Sequence, residues 1–484
     1  MRERSLAALS RPEGFDLAVV GGGSTGLAVA LLAARAGRSV ALIEAHDFAS
    51  GTSSRSTKLL HGGVRYLAQG EISLVREALQ QRRKLIELAP DLAHPLRFVM
   101  PAYRWWERWF YGVGLTAYDW LAGDSSLGRT EQYSLAATRN RYPGLQVSGL
   151  RGAVSYCDAQ FDDTGLAIAM ARGAAQAGAL VLNRLQATQV TRMPDGDLAI
   201  EFSDRESGAG GQLRARDVVN ATGVWVDRLR SAPPMVQPSQ GVHIVVERRF
   251  FPSDEALLLP RTADGRVLFI VPWLKHCVIG TTDTPRDLAE VAPGTEPLPF
   301  SSEIDLILTE VSRVLSHAPG RTDILSAWAG LRPLVKPRAD SGSATHRISR
   351  EHSIEVDSRG LVTITGGKWT TCLVMATDAL NALPNYPLKT QCPDHGVLPS
   401  GLPDMAHRAP TEPEVVWLAN HTWARSVEDV LARRSRLLFL NVDAALKAAP
   451  AVARTLASCT GRDADLEGFI RIAKAWKDSF QSRQ

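Results

Sequence analysis

Short apolar runs alternate with helical patterns from the start of the chain. Phe15-Asp16-Leu17-Ala18-Val19-Val20 reads as a buried strand, 27–36 as an Ala/Leu-rich helix stopped by Gly37, and 39–43 as a second strand. Over 72–88, Leu74, Val75, Ala78, Leu79, Leu85 and Leu88 recur at helical spacing with charges between them. A second Ala-rich helix is expected over 164–177, with Asp162 and Asp163 as cap and first-turn acids rather than metal ligands. A strand at 180–182 follows it. Segments 189–193, 198–202 and 212–215 then form a strand meander, punctuated by Pro194-Asp195-Gly196 and Ser207-Gly208-Ala209-Gly210-Gly211, before a buried strand at 217–219. Apolar β-rich runs at 242–246, 267–271 and 277–281 predict an antiparallel sheet, followed by a helix over 302–315. A strand at 361–365 leads into a helix over 370–383. Prolines mark 384–413 as a linker, and 414–480 reads as helical.

What lies between the first two strands sharpens this picture. Gly21-Gly22-Gly23-Ser24-Thr25-Gly26 has G-x-G-x-x-G spacing, and Glu44 closes the second strand. Gly21 permits a tight turn, Gly23 lets the backbone approach a pyrophosphate, and Gly26 allows close helix–strand packing. The helix start at Ser24 and Thr25 can face phosphates, and the Glu44 carboxylate can accept from ribose hydroxyls. A bound dinucleotide follows. The small-residue turn Asn220-Ala221-Thr222-Gly223, after a buried strand, resembles one that recurs in two-dinucleotide-fold flavoproteins, and its position after the first βαβ unit favours FAD over an exchanging NAD. The fold class is therefore α/β, α+β overall. It comprises a Rossmann-like FAD-binding domain, an antiparallel-sheet substrate domain and a small C-terminal helical domain. The expected division is a flexible N-terminus at 1–14, an FAD-binding domain at 15–232 and 349–383, a substrate domain at 233–348, the linker, and helices over 414–484.

Composition excludes several classes. A formal charge of +4 over 484 residues, with dispersed basic residues, does not argue for nucleic acid. The five cysteines, Cys157, Cys277, Cys372, Cys392 and Cys459, show no C-x-x-C and no metal-ligand spacing, which favours free thiols in a reducing compartment. Residues 1–13 lack a signal-like apolar core and no run approaches eighteen apolar residues, so membrane contact is expected to be peripheral. Residues 101–121 concentrate Tyr103, Trp105, Trp106, Trp109, Phe110, Tyr111, Tyr118 and Trp120 beside Arg104 and Arg108. Such a mixture suits a membrane interface, and equally a helix that packs its aromatics inward.

The hydroxyl-rich run Thr52-Ser53-Ser54, followed by Lys58-Leu59-Leu60-His61-Gly62-Gly63-Val64-Arg65-Tyr66-Leu67, resembles the FAD-dependent glycerol-3-phosphate dehydrogenase family of the aerobic, respiratory type. Segments 239–246, 271–273, 279–283, 329–334 and 366–371 continue the resemblance in order, and 423–434 resembles the family's helical cap. The resemblance implies oxidation of sn-glycerol 3-phosphate to dihydroxyacetone phosphate by hydride transfer to FAD. It further implies electron delivery to quinone and a cytoplasmic protein peripheral on the inner face of the cell membrane. The implied partners are glycerol 3-phosphate, quinone and a membrane surface, with a homodimer admissible. Cofactor contacts are implied at Gly21, Gly23, Ser24, Thr25, Gly26, Glu44, Ala45, Thr52, Ser53, Ser54, Lys58, Leu59, His61, Gly62, Ala187, Ala221, Gly223, Gly367, Lys368 and Thr370.

The chemistry asks for a phosphate grip, a proton acceptor and charge stabilisation beside a flavin. Guanidinium forks match phosphate bidentately, and the resemblance implies that role for Arg65 and Arg332, with Arg350 in a motif context that can join them and Tyr66 as a wall. His243, a ring interrupting an apolar strand, can accept the alcohol proton, or equally be a satisfied core histidine. Lys368, after two glycines at a helix start, can bind the substrate hydroxyl or stabilise negative charge. The catalytic candidates are thus His243, Lys368 and Arg332. The alternatives are an amino-acid or 2-hydroxy-acid oxidase of the same fold, needing fewer arginines, and a non-catalytic flavin-binding protein at a membrane surface.

Overall fold

A computed structural model describes residues 2–67, 70–263, 265–290, 294–336, 352–385, 396–399, 402–405 and 408–481, with only the backbone described for Arg65, Tyr66 and Ala289. The Gly-rich unit folds as read. Strand Phe15–Val20 runs parallel to Val40–Ile43 on one side and Gly210–Asn220 on the other, with helix Ser24–Arg35 between the first two. The sheet runs from Leu180–Leu182 through Val40–Ile43, Phe15–Val20, Gly210–Asn220 and Val362–Gly366, all parallel, to the antiparallel His352–Val356. Both faces are covered. Leu17 and Val19 pack on helices Ser24–Arg35, Asp163–Gln176 and Cys372–Asn381, while Ala18 and Val20 pack under the meander. A parallel strand covered on both faces needs the continuous apolar run seen here.

The second sheet is longer than the sequence suggested. Val236–Glu247 pairs with Ser326–Val335 along one edge and with His276–Gly280 along the other, and the sheet continues through Leu268–Trp273 and Ala256–Leu259. It then takes in Ala93–Ala102, Gly152–Phe161 and Leu59–Leu60. Residues expected within the dinucleotide unit thus pair with the antiparallel sheet instead. All ten positions of Gly152–Phe161 are buried, so the strand has no alternation to reveal its partner.

Three further departures are seen among the described residues. The N-terminus is not loose, because helix Arg2–Leu9 buries Leu9 and Arg2 donates to Asn183 O (2.8 Å) and Asp204 Oδ1 (2.9 Å). The runs at 212–215 and 217–219 fuse into one strand, Gly210–Asn220, because its first half pairs with the meander and its second half with Phe15–Val20. The expected helix over 370–383 opens as a 3₁₀ turn, Trp369–Thr371, before Cys372–Asn381. Most of 386–401 lies outside the described residues. Beyond it, helix Glu412–His421 starts with a Thr411/Glu414 capping box, and Val442–Thr460 and Leu466–Gln481 complete the C-terminal layer.

Candidate active site

The glycine loop builds the nucleotide end. Gly21 has φ +111°, and a Cβ there would lie 2.5 Å from Ala221 O. A Cβ on Gly26 would lie 2.0 Å from Gly21 O, so any side chain would push the helix off the strand. Helix Ser24–Arg35 has no side-chain cap at Gly23, and Ser24 N donates to Ser53 Oγ (2.9 Å). Glu44 accepts from Gly22 N (2.6 Å) and His46 N (2.8 Å); burial nevertheless raises its carboxyl above the ordinary value. Gly21, Gly23, Glu44, Ala45, Thr52, Ser53, Ala187, Ala221 and Gly223 line a cavity of about 560 Å³. The uncapped helix start, the glycine clearance and the carboxylate at its wall fit a dinucleotide.

A second cavity, about 310 Å³, abuts the first and shares Gly23, Thr52, Ser53, Arg55, Ala221 and Gly223 with it. Ser24, Thr25, Leu59, His61, His243, Arg332, Gly367, Lys368 and Thr370 line it. His243 comes from Val236–Glu247 and lies opposite Trp328 and Gly280 in the ladders. Its ring stacks on Trp328 (5.3 Å between centroids, 16° between planes), and Nε2 lies 2.9 Å from Thr57 Oγ1. Burial first, then Lys58 and Arg332, push its pKa well below the ordinary 6.5, so the imidazole is neutral at pH 7. Arg332 Nη2 donates to Thr281 Oγ1 and Thr282 O, both at 3.0 Å, and Nη1 to Asp283 Oδ1 at 3.3 Å. One chamber thus joins a guanidinium, a lysine and a neutral imidazole, a set suited to an anionic alcohol.

Residues 16–378 match the family of FAD dependent oxidoreductases, and 399–466 match the C-terminal domain of alpha-glycerophosphate oxidase. The mitochondrial glycerol-3-phosphate dehydrogenase of Arabidopsis thaliana is 36% identical over 540 residues, covering 94% of this chain and 85% of that protein. The chain belongs to the FAD-dependent glycerol-3-phosphate dehydrogenase family. Its cofactor class is accordingly FAD. The mitochondrial enzyme of Rattus norvegicus is 41% identical over 401 residues, 78% of this chain, but the chain spans only 54% of that relative's length. In fold, the chain resembles the glycerol-3-phosphate dehydrogenase from Bacillus halodurans complexed with FAD, with TM-score 0.78 and 24% identity over 100% of this chain and 99% of that one.

Within this family fold, some expected contacts sit elsewhere. Lys58 has φ +64° and points inward, where Nζ donates to Asp163 Oδ2 and Ser54 O, both at 2.6 Å. Burial and the nearby Arg436 lower its pKa to about 7 despite Asp163, and neither cavity is lined by it. Ser54 is buried beside it and also lines neither cavity. Gly26 acts through packing alone. Gly62 is glycine for a different reason than ligand approach: a Cβ would lie 2.3 Å from the Tyr118 hydroxyl, while its N–H donates to Asp158 Oδ1 (3.1 Å). Arg65 and Tyr66 fall in the short helix Val64–Leu67 with side chains not described, and Arg350 lies outside the described residues. Thr57, Thr281 and Arg55 also line the second cavity, though none was singled out as a site residue. Arg55 donates to Glu296 Oε2 (2.8 Å). Arg55 and Thr57 share the hydroxyl-rich loop with Thr52–Ser54, but partners in distant strands left no local signal.

Proposed function

We propose that this chain oxidises sn-glycerol 3-phosphate at C2 to dihydroxyacetone phosphate and delivers the electrons to a membrane quinone. The observation that carries this reading is the meeting of Arg332, Lys368 and neutral His243 in one chamber beside the dinucleotide groove. Gly21, Gly23, Ser24, Thr25, Glu44 and Ala187 would hold the FAD, whose N5 accepts a hydride when bound. Arg332 grips the phosphate, joined by Arg65 and Arg350 on the family pattern. Lys368 orients the substrate hydroxyl, and His243, uncharged, takes up the C2 hydroxyl proton. Thr281 and Asp283 hold the Arg332 fork in place before substrate arrives, which lowers the cost of binding.

Membrane attachment is the second part of the reading. Helix Glu107–Ala122 and the turn before it leave Trp105 81%, Trp109 61% and Trp120 82% exposed, with Phe110 and Val113 also outward. Such a patch, flanked by Arg104 and Arg108, suits the headgroup boundary. Among the described residues no helix is long and apolar enough to cross a membrane. The test of the reaction is anaerobic: glycerol 3-phosphate should bleach the flavin absorption, whereas amino acids and 2-hydroxy acids should not. Bleaching by the latter alone would assign the chamber to a carboxylate substrate.

A further inference from the structure

We propose that Thr57 relays the substrate hydroxyl proton to His243. The inference rests on the glycerol 3-phosphate reading above and specifies the path the proton takes.

The His243 ring is held in place on two sides. Trp328 stacks on one face, and on the neighbouring strand Gly280 lies so close that a Cβ there would sit 2.4 Å from His243 Cδ2. Stacked on Trp328, the ring presents Nε2 to Thr57. Among the described residues His243 Nδ1 is buried with no hydrogen-bond partner. Nε2 is engaged by Thr57 Oγ1 at 2.9 Å. His243 itself is 2% exposed, while Thr57 is half-buried and lines the chamber together with Arg332 and Lys368. A neutral imidazole carries one N–H and one lone pair. With the proton on Nδ1, the Thr57 hydroxyl donates into the Nε2 lone pair and leaves its own oxygen lone pairs toward the cavity.

The step balances. The C2–O–H bond breaks and its proton joins Thr57 Oγ1, while the Thr57 hydroxyl proton moves to His243 Nε2. The electron pair of the C2–H bond leaves as hydride to the flavin oxidant, and the carbon–oxygen double bond forms. Thr57 ends as it began, a neutral hydroxyl, and His243 ends as imidazolium. Arg332 remains on the phosphate and takes no proton.

The test compares Thr57→Val, which keeps the shape and removes the hydroxyl, with Thr57→Ser, which keeps the hydroxyl. Flavin reduction at saturating glycerol 3-phosphate should slow by about a hundredfold or more in Thr57→Val. Its dissociation constant for glycerol 3-phosphate and its FAD content should stay within about twofold of the parent, and Thr57→Ser should restore most of the rate. A second readout is independent of turnover. The ¹⁵N spectrum of labelled histidines should show a His243 Nε2 acceptor that shifts in Thr57→Val and not in Thr57→Ser. Parent-like reduction by Thr57→Val, equal slowing in both variants, or an unmoved Nε2 resonance overturns the relay. Should Thr57→Val lose FAD, Thr57→Ala takes its place in the same comparison. Failure of the underlying substrate reading shows separately, as no bleaching of the unaltered protein.

Discussion

Arg332 has its position because Gly241 has no side chain. The two strands run antiparallel with Gly241 opposite Gly330, and a Cβ on Gly241 would lie 2.3 Å from Arg332 Nη2 and 2.7 Å from Cζ. The guanidinium lies across that gap to reach Thr281. An added methyl would move the flexible end of a side chain rather than backbone, so the strand should survive. Gly241→Ala should therefore raise KM for glycerol 3-phosphate on the order of tenfold, about 1.4 kcal/mol, with FAD content unchanged. Arg332→Ala should raise it further, on the order of a hundredfold, since contacts to a charged group contribute about 1.5–3 kcal/mol. Steady-state kinetics with matched flavin occupancy measures both. An unchanged KM in Arg332→Ala would remove that residue from the phosphate grip. His243 was legible in the sequence because a polar ring breaks an apolar strand. The need for glycine at 241 was not, because its cause lies on another strand. Lys58 was misread for a related reason: its counter-charge, Asp163, is remote in sequence and invisible to any local pattern.

Helix Glu107–Ala122 shows how one element divides a composition that the sequence leaves whole. Leu115 and Tyr118 face inward; Trp109, Phe110, Val113 and Trp120 face out. The inner face is anchored by polar contacts as well as packing. Tyr118 donates to Asp158 Oδ2 (3.1 Å), Arg82 Nη1 donates to Asp158 Oδ1 (2.7 Å), and Gly62 N shares the same carboxylate oxygen. Helical phase thus sorts the aromatic island into residues packed inward and residues left exposed, and only the exposed ones are available for the membrane contact proposed above. Because the outer aromatics pack against little, a Trp105→Ser/Trp109→Ser double variant should keep its thermal midpoint within a few degrees, as surface changes usually stay within about 0.5 kcal/mol. Its co-sedimentation with anionic vesicles should fall severalfold. Retained vesicle binding would show that this face does not dock on lipid. Tyr118→Phe should do the reverse, since it leaves the outer face intact and removes a buried hydroxyl from Asp158. The expected cost is about 1–3 kcal/mol, read as a lower midpoint with vesicle binding unchanged.

At the scale of the molecule, the C-terminal helices are fastened to the cofactor loop by buried charge. Arg433 Nε (2.6 Å) and Arg434 Nη1 (2.8 Å) donate to Asp47 Oδ2, three residues past Glu44 in the wall of the larger cavity. Arg436 donates to Asp163 Oδ1 (3.0 Å) and Ser54 O (3.2 Å), and Arg184 pairs with Asp429 (2.7 Å). The sequence offered 423–434 only as a resemblance, because a run of arginines reads as a solvated face until its partners are placed. Burial alone would raise the carboxyls of Asp163, Glu428 and Asp429. In Asp163, Lys58 and Arg436 more than offset it; in Glu428, Arg433 does; in Asp429, Arg184, Arg433 and Arg434 do. All three are held below their ordinary values of 3.8, 4.5 and 3.8. A carboxyl depressed in the folded state contributes stability that is fully present above its unfolded value and is lost as pH falls through the folded one. Stability from these three carboxyls should therefore be flat above about pH 5 and decline below about pH 4. Since the same contacts brace Asp47 and the loop around Ser54, loosening the C-terminal helices should release FAD in the same step. Flavin fluorescence and limited proteolysis followed together from pH 6 to pH 3 should change at one pH, with cleavage entering the C-terminal segment. Release of FAD at a pH well above the onset of cleavage would show that the cofactor loop holds without its arginine brace.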